Sequence, residues 1–108
     1  MKIFKELKKL GYIHYSATTI EELDDLPLNS AERISEQALV LRWFREKHKL
    51  HSSTFWMEID KFIYWNYRYS YLNDKSTESV NRSMVYFNTP EEAELECLVK
   101  LIEIIKNK

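Results

Sequence analysis

The chain has 108 residues and a net charge of −1, with 44% apolar and 31% charged residues. This is the size of one domain with enough apolar material for its own core. A near-balanced charge argues against a protein held to phosphate backbones by a general basic excess, though a local basic patch stays open. Glycine occurs once, at Gly11, so the Gly-rich loops of nucleotide-binding folds are absent. The lone Cys97 has no partner for an internal disulfide and points to a reducing compartment. Residues 1–10 interleave Lys with apolar residues and lack the apolar run of a signal peptide. No segment reaches the ~18 apolar residues of a membrane span. The expectation is a cytoplasmic protein.

In chain order, Ile3, Phe4, Leu7 and Leu10 form one stripe at helical spacing, and Gly11 follows where a helix end favours positive φ. Tyr12–Tyr15 reads as a short extended piece. Thr18 and Thr19 with Glu21 and Glu22 match the capping box, so a short helix runs to about Leu23, and Pro27 ends it. Asn29 or Ser30 caps a long helix from Ala31 to about Lys49. Its expected apolar face is Ile34, Ala38, Leu41 and Phe44, widened by Val40 and Trp43.

Residues 53–72 carry two readings. Phe55, Ile59, Phe62 and Ile63 fit a helical stripe, but the β-branched and aromatic content favours strands. From Phe62 the alternation is sharp, with Ile63, Trp65, Tyr67, Tyr69 and Tyr71 on one face. Asn73–Ser79 reads as a polar turn and Arg82–Phe87 as a third strand. The last helix is the best specified. Thr89 is its N-cap, Pro90 takes N1, Glu92 closes a capping box, and Leu95, Leu98, Leu101, Ile102 and Ile105 form its buried face.

The fold class is therefore α+β. The expected architecture is a two-layer sandwich with short N-terminal helical pieces, a long helix, about three antiparallel strands and a C-terminal helix. Residues 1–108 read as one domain, with 1–28 an N-terminal extension to an α-β-β-β-α core over 29–108.

If the Trp65/Tyr67/Tyr69 face meets the helices, parity assigns the other face. It collects Trp56 and Glu58 from the first strand, Phe62, Tyr64, Asn66 and Arg68 from the second, and Arg82, Met84 and Tyr86 from the third. Trp56, Phe62, Tyr64, Arg68, Arg82 and Tyr86 are thus the candidate interaction face, rich in residue types that carry interfaces. Three occupants compete for it. Residues 1–28 could fold back and cover it with Phe4, Leu7, Leu10 and Leu26. A protein partner or a second copy could bury it. Single-stranded nucleic acid could stack on it while Arg pairs phosphates.

Catalytic and metal chemistry find less support. His48 and His51 make an H-x-x-H, but a metal needs three or four converging ligands, and Cys97 is distant in sequence. Four Glu surround Cys97 and would raise its pKa, against a nucleophilic role. The run Glu21–Asp25 is explained by capping and the helix dipole. No catalytic residue, cofactor or metal site is expected, and the chain reads as a non-enzymatic binding protein.

Two segments, L-R-W-F-R-E-K-H-K-L-H at Leu41–His51 and Y-F-N-T-P-E-E-A-E-L-E-C-L-V-K-L-I-E-I-I-K at Tyr86–Lys106, resemble uncharacterised small phage and prophage proteins of Bacteroidetes-type bacteria. The resemblance runs from about Asn29 to the C-terminus and leaves residues 1–28 outside. It implies a phage or mobile-element origin and an α-β-β-β-α core, and it carries no activity with it.

Overall fold

The computed structural model describes residues 1–71, 81–82 and 86–107. Ile3–Lys9 forms helix α1 and buries Ile3, Phe4 and Leu7. Tyr12 N–H donates to Leu7 O at 3.0 Å and Gly11 N–H to Lys8 O at 3.1 Å, the Schellman closure, which needs one residue at positive φ. Gly11 supplies it at +101°. So short a helix does not hold itself in water. Its N-terminus is satisfied from outside, because Asp24 accepts from Phe4 N–H at 2.9 Å and Lys5 N–H at 3.1 Å. Residues 12–15, expected to be extended, form no strand.

Ile20–Asp25 is helix α2, capped by Thr19, and Ala31–His48 is helix α3, capped by Ser30. The face that α3 buries is not the one its apolar spacing predicts. Arg33, Glu36, Gln37, Val40 and Phe44 are buried, while Ile34 is 38% exposed and Ala38 is exposed. Three of these five are polar, and each is there because it has partners. Arg33 donates through its guanidinium to the carbonyls of Asp24 at 3.1 Å and Leu26 at 2.9 Å, and through Nε to Gln37 Oε1 at 2.9 Å. Its guanidinium also lies 5.7 Å from the Phe4 ring centroid. The carbonyls at the end of α2 are thereby capped by a side chain of α3. Arg33→Met is expected to lower stability by about 2 kcal/mol, because it leaves those buried acceptors unmet. A shift in the urea midpoint checks it, and an unchanged midpoint would mean that water replaces the guanidinium freely.

Helix α4, Pro90–Lys106, starts where the capping box places it, with the Thr89 side chain accepting from Glu92 N–H at 3.2 Å. It buries Ala93, Cys97, Leu98, Leu101 and Ile102, whereas Leu95 and Ile105 are only partly covered. Between α3 and α4, strand β1 (Leu50–Ile59) and strand β2 (Phe62–Tyr71) form an antiparallel hairpin. β1 begins at Leu50 because Lys49 closes α3 in the left-handed region, at φ 58°. The connection is the two residues Asp60 and Lys61, with φ of 52° and 71°, as a type I′ turn requires. Asn81–Arg82 (β3) pairs with β2 beside Arg68 and Tyr69, and Phe87 bridges Trp65. The expected polar turn at Asn73–Ser79 and residues 83–85 of the expected third strand, with Met84, lie outside the described residues.

The core joins Phe4 and Leu7 of α1, Leu23 of α2, Phe44 of α3, Leu50 and Tyr67 of the hairpin, and Leu98, Leu101 and Ile102 of α4 in one cluster. Residues 1–28 therefore do not cover the far face of the sheet. Phe4 and Leu7 are spent on the helical side, with Leu10 and Leu26 packed against the same cluster. Among the described residues no helix is long and apolar enough to cross a membrane.

Candidate interaction surface

The register fixes which hairpin side chains share a face. Leu50 stands opposite Tyr71, Thr54 opposite Tyr67, Trp56 opposite Trp65 and Glu58 opposite Ile63. Directly opposed residues of an antiparallel pair point the same way. Even-numbered residues of β1 therefore share a face with odd-numbered residues of β2, and Leu50 and Tyr67 show that this is the helix side. Two expectations are corrected by this. Trp56 and Glu58 do not stand with Phe62, Tyr64 and Arg68. Their places on the outer face are taken by Phe55, Met57 and Ile59, and by His51 and Ser53 nearer the strand start. The reason is the loop: a turn of two residues between strands pairs even with odd.

On the outer face the structure does place Phe62, Tyr64, Arg68 and Tyr86 on one side of the sheet. The Tyr64 and Tyr86 rings lie 6.0 Å apart. The Arg68 guanidinium sits 5.5 Å from the Phe55 ring centroid, while its Nε donates to Ser53 Oγ at 3.1 Å. Phe62 is 66% exposed and Tyr86 46%. Arg82 occupies the register position opposite Arg68. Asn66 lies on this face but is buried, and its Oδ1 accepts from Tyr67 N–H at 2.7 Å. Toward the start of β1, His51, Ser53, Arg68 and Ser70 line a shallow hollow of about 270 Å³. With Glu58 on the other side, no carboxylate stands on this face among the described hairpin residues.

The hairpin also outruns the helices that cover it. Its helix side is buried at Leu50 and Tyr67, yet nearer the turn Trp56 is 60% exposed and Ile63 61%. Near the turn both faces thus expose large apolar side chains, Trp56 and Ile63 with Glu58 on one and Phe62 on the other, a feature the alternation within one strand could not reveal.

The remaining candidates have ordinary surroundings. Cys97 is buried, and burial pushes its thiol up to about 12 despite a hydrogen bond from Ser52, so it is a protonated thiol at neutral pH. His48 is stacked edge-on to Trp43 at 4.8 Å between centroids, and His51 is exposed on β1. Among the described residues no three His, Cys, Asp or Glu side chains are grouped to hold a metal ion. The acidic run yields Asp24 as the cap of α1. Sequence reasoning missed Glu36, whose carboxylate gathers Tyr12 OH and the N–H groups of Tyr15 and Ser16. Comparison of the chain with protein-family models, with curated proteins and with solved structures gives no match.

Proposed function

We propose that this chain works by binding rather than by catalysis, as a two-layer sandwich whose outer sheet face receives a protein partner. The observation that carries it is the composition of that face: Phe62, Tyr64 and Tyr86 on the same side of the sheet as Arg68, with no carboxylate on that side among the described strand residues. Exposed aromatic surface of this kind is rarely maintained without use, and aromatic and Arg anchors are the residues that dominate interface energetics. A face whose described strand residues carry cations and no carboxylate, in a chain of net charge −1, suits a partner that offers apolar side chains and carboxylates.

The test places a photo-crosslinking residue at position 64 or 62 in the native cell, with position 103 on α4 as control. Discrete protein adducts from 62 and 64 and none from 103 are expected. Tyr64→Ala and Arg68→Glu should each weaken capture of that partner by about tenfold to a hundredfold. Equal labelling at all three positions would remove the proposal.

Single-stranded nucleic acid is the alternative, favoured by the same run of cations and aromatics, since bases stack on exposed rings and Arg pairs phosphates. A titration of single-stranded RNA and DNA across salt concentration separates the two. Binding that falls steeply with salt would favour nucleic acid, and none at low ionic strength would exclude it.

A further inference from the structure

We propose that the free edge of β1 pairs antiparallel with β1 of a second copy, giving a two-fold symmetric dimer with one continuous sheet. This interface uses the edge of β1, the helix side of the hairpin tip and, on the outer face, Phe55 at its rim; Phe62, Tyr64 and Tyr86 take no part in it.

The backbone directions follow from a pair of hydrogen bonds on the far side of β2. Trp65 N–H donates to Phe87 O at 2.7 Å, and Phe87 N–H donates to Trp65 O at 2.8 Å. Both backbone groups of Trp65 thus point away from β1. Trp56, directly opposite, must then turn its own N–H and C=O away from β2 and toward the open edge. Alternation gives the same direction to Ser52, Thr54 and Glu58. Among the described residues no backbone group bonds to this row.

Natural sheets blunt such an edge with Lys, Pro, a bulge or a short strand. β1 has none of these: L-H-S-S-T-F-W-M-E-I contains no Lys, Arg or Pro, and its ladder with β2 runs unbroken over 10 residues. An unguarded edge of that length is a template for another strand.

The strand is also complementary to itself. A two-fold axis perpendicular to the sheet keeps the same face up in both copies and sets one residue opposite its own copy. Centred on Phe55, the pairing runs from His51 to Ile59 on each chain. Phe55 then meets Phe55 on the outer face, at a position where cross-strand side chains approach closely and aromatic pairs contribute. Trp56 meets Thr54 on the helix side, and Glu58 falls opposite Ser52, so no like charges oppose.

The third support is the half-covered hairpin. Near Leu50 the helix side is buried, and α3 and α4 both pack on β1; near the turn Trp56 is open. Antiparallel pairing sets the uncovered tip of one copy beside the covered base of the other. Trp56 then comes up against the flank of the second copy's α3, and the dimer buries what the single fold leaves exposed.

Light scattering after size exclusion reads the outcome across a concentration series. The expected mass is twice the 13.1 kDa of the chain, falling toward the single-chain value on dilution. Thr54→Pro removes one outward N–H per chain and spares the β1–β2 ladder, and Trp56→Lys places a charge at the seam. Each should raise the dimer dissociation constant by about tenfold or more, with circular dichroism unchanged. Phe62→Ser, on the outer face, should leave that constant alone. If Thr54→Pro does not fold, Trp56→Lys decides. A wild-type chain that stays monomeric at every concentration, or a dimer indifferent to Trp56→Lys, overturns the proposal. Neither result bears on Phe62 and Tyr64, which cross-linking from those positions tests separately.

Discussion

Glu36→Ala is expected to lower the folding free energy by about 3 kcal/mol, with a fall in melting midpoint of roughly 10–20 °C. The residue is 2% exposed, and its carboxylate is used on both oxygens. Tyr12 OH and Tyr15 N–H donate to Oε2, the latter at 3.1 Å, and Ser16 N–H donates to Oε1 at 2.9 Å. Hydrogen bonds to an ionised group are among the stronger ones in proteins. Removing the acceptor strands a phenol hydroxyl on a buried ring and two backbone donors at once, and leaving such groups unmet costs more than the bond itself contributes.

The effect should be local as well as global. Glu36 holds the segment between α1 and α2 against α3, so its loss should speed amide exchange at Tyr15 and Ser16 ahead of the sheet. Glu36→Gln should cost less, because one acceptor oxygen survives, but the new amide N–H₂ meets a backbone donor on one side. Tyr12→Phe should cost about 1 kcal/mol, and the Tyr12→Phe/Glu36→Ala pair should be less than additive, since both remove the same bond. Chemical denaturation of the four chains measures this cycle. Strict additivity would show that the Tyr12 hydroxyl does not rely on Glu36.

Glu36 also marks where the sequence stops being readable. The C-terminal helix is legible because every local signal agrees: Thr89, Pro90 and Glu92 at its start and an apolar stripe behind them. α1 is legible for the same reason, down to Gly11. α3 is not. Its buried face holds Arg33, Glu36 and Gln37, whose polarity says outside and whose partners lie far off: Tyr12 is 24 residues from Glu36 and Glu94 is 57 from Gln37. Apolar periodicity then rotates toward Ile34 and Ala38, which are exposed. The hairpin shows a different limit. Alternation within β2 is visible residue by residue, but the relation of β1 to β2 depends on the parity of the loop between them. Asp60–Lys61 takes two left-handed residues without a glycine, so nothing in the letters announces a two-residue turn, and Trp56 and Glu58 are assigned to the wrong side. That the hairpin outruns its helices depends on where α3 and α4 come to rest, which no single strand records.

Raising the pH should lower the stability of the chain with two identifiable changes of slope. Burial pushes the Cys97 thiol from its ordinary 9.0 to about 12. Burial and the adjacent Glu36 carboxylate push the Tyr12 phenol upward from 10.0. Both groups are neutral when protonated, and the folded state holds their protons more tightly than the unfolded chain does. Stability is then unaffected below pH 9, where both states are protonated. It falls above pH 9, because the unfolded chain gives up the Cys97 proton while the folded chain keeps it. The slope for one such group is about 1.4 kcal/mol per pH unit, so Cys97 alone withdraws on the order of 4 kcal/mol by pH 12. Tyr12 adds a second slope from about pH 10. Urea midpoints measured from about pH 8 to about pH 11 should therefore bend downward once near 9 and again near 10. Cys97→Ala should abolish the first bend and keep the second, at a lower starting stability because a small cavity opens beside Leu98 and Leu101. Tyr12→Phe should do the reverse. If Cys97→Ala retains the bend at pH 9, the thiol is not shielded from solvent. The packing of α4 against β1 would then be looser than its buried Cys97, bonded to Ser52, requires.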